Sequence, residues 1–111
     1  MRYHFVETQN FTRRWYDIGL SDDDLQALQV YLISNPTAGR MMQGTGGVRK
    51  IRWAPEGKGK SGGVRTIYLE LALDEEIWLL TVFDKHVQDN LTAEEKKALR
   101  QLVGQIKGGL V

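Results

Sequence analysis

The sequence contains no cysteine, only two prolines and two histidines, and no long apolar run. Without cysteine there is neither a disulfide framework nor a thiolate metal site, and two histidines far apart in the chain form a weak metal set. We therefore expect no metal and no other cofactor. No segment approaches the roughly 20 apolar residues of a membrane-spanning helix, and the first residues lack the apolar stretch of a signal peptide. These absences predict a cytoplasmic protein with no membrane partner.

The composition is that of an ordinary folded protein. Of the 111 residues, 41% are hydrophobic and 26% are charged, which speaks against wholesale disorder. A chain of this length has room for one modest core and for no second one. We expect a single domain that spans residues 1–111.

The charge is distributed unevenly, although the net charge is only +1. Between positions 40 and 65 lie seven basic residues and one acidic residue, a local balance of +6 that leaves −5 for the rest of the chain. The basic residues are Arg40, Arg49, Lys50, Arg52, Lys58, Lys60 and Arg65. Such a chain can present one positive patch to a polyanion while its other surfaces stay acidic.

The spacing of apolar residues predicts the order strand, two helices, three strands and one helix. We expect strands at 2–7, 48–54, 64–73 and 77–83, and helices at 8–18, from Ser21 to Asn35 and from Thr92 to Gly108. Residues 39–47 are predicted to be a loop and residues 55–63 a mobile basic loop. Helices grouped before a run of strands predict an α+β domain with a mostly antiparallel sheet.

Two helix starts are well marked. Ser21 precedes three aspartates, whose carboxylates suit the positive end of a helix. Thr92 and Glu95 have the spacing of a capping box. For the aspartates we prefer this capping role to metal binding, since acidic first turns are common.

The glycine-rich and basic stretches at 44–52 and 57–65 are the most informative part of the sequence. The run 57–61 lacks the glycine spacing of a phosphate-binding P-loop, so nucleotide binding is a weak interpretation. What remains is a set of long cations on two strands and their connector, suited to following a sugar-phosphate backbone. RNA is the natural target.

Four pieces of sequence, in this order, resemble the RelE superfamily of toxins. They are Gly-Thr-Gly-Gly-Val-Arg-Lys-Ile-Arg at 44–52, Gly-Lys-Gly-Lys at 57–60, Gly-Gly-Val-Arg-Thr-Ile-Tyr at 62–68 and Phe-Asp-Lys at 83–85. The HigB branch is the most similar. Each piece alone is a weak signal, but their combination is specific. The resemblance implies the RelE-like microbial ribonuclease fold, with two N-terminal helices and one C-terminal helix.

The resemblance also implies a function. Such a protein is expected to be a toxin that enters the ribosome, in the A site of its small subunit, where it cleaves the mRNA. The 2′-hydroxyl of the RNA would be the nucleophile and a 2′,3′-cyclic phosphate the product. The expected partner is a HigA-like antitoxin with a helix-turn-helix domain, which we expect to mask or distort the positive patch. Operator DNA would be contacted only through this antitoxin.

The reaction needs a base for the 2′-hydroxyl, stabilisation of charge on phosphorus, and an acid for the leaving 5′-oxygen. Clustered cations stabilise the charge on phosphorus by electrostatics, so no metal is required. Lys50 and Arg52 match two family cations on one strand face, and Arg65 matches the family's arginine after Gly-Val. Arg65 is the first catalytic candidate. A lysine can act as a base where neighbouring cations crowd it, and Lys50 is our candidate base for the 2′-hydroxyl.

Lys85 and His86 follow the last strand, where family members carry further catalytic groups. This chain departs from the pattern there: some relatives have an arginine at the position of His86 and a tyrosine shortly afterwards, near Leu91 of this sequence. His86 is a candidate acid, since imidazole titrates close to neutral pH. A surface histidine without a role is an equal alternative.

Other residues are assigned to binding or to the core. Arg49, Lys58 and Lys60 are predicted to hold message or ribosomal RNA. Trp53 fits base stacking and burial equally well, whereas Trp15 and Trp78 are predicted to be core residues. Two other functions stay open: a gyrase-targeting toxin of the related ParE branch, and an RNA-binding module without catalysis.

Overall fold

The computed structural model describes residues 2–54, 63–85 and 90–109, and within these ranges the chain forms three helices and five strands. The strands are β1 (His4–Glu7), β2 (Arg40–Met41), β3 (Arg49–Trp53), β4 (Val64–Leu71) and β5 (Glu76–Asp84). The helices are α1 (Gln9–Asp17), α2 (Asp22–Ser34) and α3 (Ala93–Lys107). A 3-10 turn at Ala72–Asp74 joins β4 to β5. None of the helices in these ranges combines the length and the apolar character needed to cross a membrane.

The strands form one mixed sheet in the order β1-β5-β4-β3-β2. Strand β1 runs parallel to β5, and the other neighbours are antiparallel. This confirms the predicted α+β class and its mostly antiparallel sheet. The prediction of a loop over 39–47 was wrong at Arg40–Met41, which form β2 and pair with Lys50 and Arg49. A strand of two residues is too short to show the alternation by which strands are recognised.

The sheet has a hydrophobic core on each face, because successive side chains of a strand point to opposite sides. On one face, α1 and α2 bury a cluster that includes Phe11, Trp15, Leu28, Leu32, Ile51, Val64, Tyr68 and Leu79. On the other face, α3 buries a cluster that includes Val48, Ile67, Leu69, Leu80, Leu99, Val103 and Ile106. Trp15 is fully buried in the first core and Trp78 packs against the second, so both predictions of core tryptophans are confirmed.

Each helix begins at a side-chain cap. Thr8 Oγ1 accepts the amide hydrogen of Phe11 at the start of α1 (3.0 Å). Ser21 Oγ accepts the Asp24 amide (3.1 Å) while the Asp24 carboxylate accepts the Ser21 amide (2.8 Å). Residues 92 and 95 form the same reciprocal pair ahead of α3. The predicted caps are confirmed, and Asp24 has the capping role.

Tyr68 fastens the segment between α2 and β2 to the centre of the sheet. Its ring is fully buried, its hydroxyl oxygen accepts the Gly39 amide hydrogen (2.9 Å) and its hydroxyl hydrogen is donated to Pro36 O (2.9 Å). A Cβ at Gly39 would lie 2.8 Å from Tyr68 Cε1, so this approach requires glycine. Because Arg40 follows Gly39 directly, the contact fixes where β2 begins.

Tyr68→Phe is expected to lower the free energy of unfolding by about 1–3 kcal/mol, because the buried Gly39 amide loses its acceptor. Urea unfolding measures the change. The matched control is Tyr16→Phe, whose hydroxyl bonds to Asp22 on the exposed surface and whose loss should have a much smaller effect. Equal effects of the two substitutions would contradict the anchoring role of Tyr68.

Tyr3 joins the start of the chain to β4. Its hydroxyl donates to the Glu70 carboxylate, and this hydrogen bond, together with burial and the negative charges of Glu70 and Glu75, raises the pKa of Tyr3 to about 12. The bond requires the neutral phenol. Since the folded-state pKa lies above the ordinary value of 10.0, the contribution to stability is fully present below pH 10 and disappears as the pH rises to about 12.

The difference in unfolding free energy between the wild type and Tyr3→Phe is therefore expected to shrink as the pH rises from 10 to about 12. The measurement is chemical denaturation of both proteins across this range. A difference that stays constant through the window would show that the phenol proton does not contribute.

Candidate functional site

Four cationic side chains from three neighbouring strands share one face of the sheet. Arg52 on β3 lies directly opposite Arg65 on β4, and Arg40 on β2 lies directly opposite Lys50 on β3. Cross-strand partners have their Cβ atoms on the same face, roughly 5 Å apart. Lys50 and Arg52 are two residues apart on β3, so the two pairs also share a face.

These four side chains line a cavity of about 490 Å³. We call it the cation cavity: Arg40, Lys50, Arg52 and Arg65. It opens on the face that α3 covers elsewhere, and among the described residues no carboxylate lines it. Arg65 is only 5% exposed and forms the floor, whereas Arg40 and Arg52 are exposed at the rim.

Stability alone does not explain this arrangement. Like charges directly opposite each other on adjacent strands, such as Arg52 and Arg65, are destabilising. Local rules of stability are broken mainly at functional sites. A concave cluster of cations is suited to binding a phosphate and to stabilising negative charge that develops on it.

Lys50 is held in place from outside its strand. Its Nζ donates to Asn90 Oδ1 at 2.9 Å, and Asn90 lies two residues ahead of the Thr92 cap of α3. The hydrogen bond fixes one direction of the ammonium group. Neither Asn90 nor Arg40 was predicted as a site residue. Asn90 stands forty positions from Lys50, so its proximity carries no local sequence signal, while Arg40 was recognised only as part of the basic cluster.

Two residues predicted to bind RNA lie on the opposite face of β3. Arg49 Nη1 donates to Gly39 O (2.8 Å) and Thr37 O (3.3 Å), where it supports the connection that Tyr68 also holds. Trp53 is half-buried against the α1–α2 core, with its ring 5.4 Å from that of Tyr31. Of its two predicted roles, this packing favours the core.

The residues after β5 are described in part. Lys85 is exposed directly behind the strand whose Phe83 pairs with Arg65. His86, like Lys58 and Lys60, lies outside the described residues. Leu91 is buried in the core under α3, so this position contributes to packing. Within residues 2–54, 63–85 and 90–109, no three side chains of histidine, aspartate or glutamate are placed to hold a metal ion.

Comparison with known proteins agrees with the fold. The family model described as the RelE toxin of the RelE/RelB toxin-antitoxin system matches residues 4–108. Among solved structures, a mutant of the Escherichia coli toxin RelE in the free state has a TM-score of 0.56 at 17% identity, covering 80% of this chain and 90% of that chain. The intact E. coli RelBE toxin-antitoxin complex contains a chain with a TM-score of 0.53 at 18% identity, covering 72% of this chain and 93% of that one. The extent of the family match is decisive: the chain belongs to the RelE toxin family.

Proposed function

We propose that this toxin is a ribosome-dependent, metal-independent endoribonuclease of the HigB branch, which inhibits translation by cutting mRNA in the A site of the small ribosomal subunit. The observation that carries the proposal is the cation cavity, in which four positive charges converge without a lining carboxylate among the described residues. Such a site attracts phosphate groups. Family membership supports the toxin role.

The proposed reaction is attack of the ribose 2′-hydroxyl on the adjacent phosphorus. The bond from phosphorus to the 5′-oxygen breaks, which leaves a 2′,3′-cyclic phosphate on one fragment and a 5′-hydroxyl on the other. Lys50 Nζ accepts the proton of the 2′-hydroxyl, and Arg52 and Arg65 bind the non-bridging oxygens as their charge grows. A well-placed donor of this kind contributes roughly 3 kcal/mol to the transition state.

The other predicted residues complete the proposal. Lys85 or His86 gives a proton to the leaving 5′-oxygen, and Arg40 binds a neighbouring phosphate at the cavity rim. Lys58 and Lys60 contact message or ribosomal RNA. The fixed charges of Arg40, Arg52 and Arg65 take the place that a metal ion has in other nucleases. In the cytoplasm, a HigA-like helix-turn-helix antitoxin neutralises the toxin by covering or distorting the cavity and connects it to operator DNA.

The test is cleavage of a defined mRNA by the purified protein, with programmed ribosomes and, in a second arm with EDTA, without them. We expect cleavage on ribosomes only, with 2′,3′-cyclic phosphate ends. Arg65→Ala and Arg52→Gln should each reduce the rate by about 10²–10³. Arg13→Gln, which removes an exposed charge on α1 across the sheet, is the control and should leave the rate unchanged.

The substitution Lys50→Arg tests whether Lys50 acts as a base or only supplies a positive charge. Arginine keeps the positive charge but does not release its proton in proteins, so loss of the base should reduce cleavage by about 10²–10⁴. Near wild-type cleavage by Lys50→Arg would show that another residue is the base. Unchanged cleavage by His86→Gln would show that His86 is not the acid. RNA binding without cleavage would favour the binding module, and gyrase inhibition would favour the ParE-like toxin.

A further inference from the structure

The basic residues of α3 are gathered on one flank of the helix. With 3.6 residues per turn, positions 96, 100 and 107 fall within about 40° of arc, and position 97 follows further round. We call Lys96, Arg100 and Lys107 the α3 stripe. The buried side of the helix carries Leu99, Val103 and Ile106. The acidic residues of α3, Glu94 and Glu95, lie on the other flank, where Glu95 borders a groove with Thr8 and Arg14.

Helix α3 packs on the face of the sheet that also carries the cation cavity. Lys107 Nζ donates to Gly46 O at 2.8 Å, and Gly46 lies in the connection from β2 to β3. At the other end of the helix, Asn90 accepts from Lys50 of the cavity. The segment ahead of α3 thus contacts the cavity, and the end of α3 contacts the connection from β2 to β3.

A glycine lies near the end of α3 on this flank. Gly104 is in the last turn of the helix, and glycine within a helix destabilises it relative to alanine. A Cβ added at Gly104 would meet nothing within 4 Å, so packing does not require the glycine. Because glycine has no side chain, a ligand can approach the backbone of the helix closely at this position. Gly104 thus leaves the helix backbone open between Arg100 and Lys107.

The absence of aromatic residues from α3 indicates which nucleic acid fits. Single strands are held by bases stacking on aromatic rings as well as by charge. Paired RNA hides its bases and is recognised through phosphates and 2′-hydroxyls across a wide, shallow minor groove. The stripe spans twelve residues, a rise of about 16 Å along the helix, and offers cations and an open backbone. These features match paired RNA.

We propose that the α3 stripe is a second RNA-binding surface, which docks on the sugar-phosphate backbone of paired ribosomal RNA while the cation cavity receives the single-stranded message. The ribosomal source of the paired RNA and the role of the cavity rest on the proposed function, whereas the binding of paired RNA by the stripe does not. The stripe orients the toxin on the ribosome, and it contributes to binding rather than to the chemical step. Its partner is recognised by A-form shape and charge, without sequence preference.

The test measures RNA binding by fluorescence anisotropy. The probes are a blunt RNA duplex of about 16 base pairs and a single strand with the same total number of nucleotides. We expect Lys96→Gln/Arg100→Gln/Lys107→Gln to weaken duplex binding and to lower the slope of log K against log salt by about one per cation. Binding of the single strand should change little. Lys107→Gln also removes the bond to Gly46, so the Lys96→Gln/Arg100→Gln double variant provides a second measurement.

Two comparisons isolate the stripe. Gln105→Glu changes the net charge by the same amount as Arg100→Gln but lies on the opposite flank of α3, and it should leave duplex affinity unchanged. Gly104→Ala should raise the melting temperature and yet weaken duplex binding, which a purely structural glycine would not do. Unchanged affinity and salt slope in the stripe variants, or equal weakening by Gln105→Glu, would overturn the proposal.

The outcome is independent of whether the cavity cuts RNA. Arg52→Gln should keep duplex binding while it loses cleavage. On ribosomes, the stripe variants should raise KM and leave kcat near the wild-type value. If no cleavage is found at all, the duplex measurements still decide whether α3 binds paired RNA. A fall in kcat at saturating ribosomes with duplex binding intact would contradict the assignment.

Discussion

The register between β3 and β4 is the constraint on which the site depends. Ile51 and Val64 are buried in the α1–α2 core, so β3 and β4 must turn these residues towards that face. Because side chains alternate, Lys50, Arg52 and Arg65 are then forced onto the other face. A slip of one residue would bury cations among α1 and α2 and expose the apolar set. The same hydrophobic burial that stabilises the sheet therefore holds like charges together against their repulsion.

The face of the sheet that α3 packs against has a covered part and an open part. Helix α3 covers Val48, Ile67 and Leu69 and leaves the cation cavity uncovered, while Asn90 reaches from the start of α3 to Lys50. Tyr68 passes through the sheet's first core and holds Gly39, which places Arg40 beside Lys50. Four cations from three strands are thus brought together by the pairing of β3 with β4, by the contact of Asn90 with Lys50 and by the buried hydroxyl of Tyr68.

Much of the fold could be predicted because its signals are local. Caps at Ser21 and Thr92 and the alternation in β4 and β5 lie within a few residues. In the candidate site, only Lys50, Arg52 and Arg65 could be predicted, because each lies within a sequence motif. Arg40 lies in a strand too short for a pattern, and Asn90 comes close only through folding. The alternation in β3 already placed Arg49 and Trp53 on the face away from Lys50, but their residue types suggested RNA binding. The pattern of faces was the better guide to position.

We propose that the fold keeps these cations together for phosphate rather than for stability. The most direct test compares Arg52→Gln with the wild type by thermal unfolding and by mRNA cleavage on ribosomes. Removing one of two facing arginines should relieve repulsion, so we expect a higher melting temperature together with loss of cleavage. A lower melting temperature with cleavage retained would contradict it, because Arg52 would then be a structural residue in a cavity with another purpose.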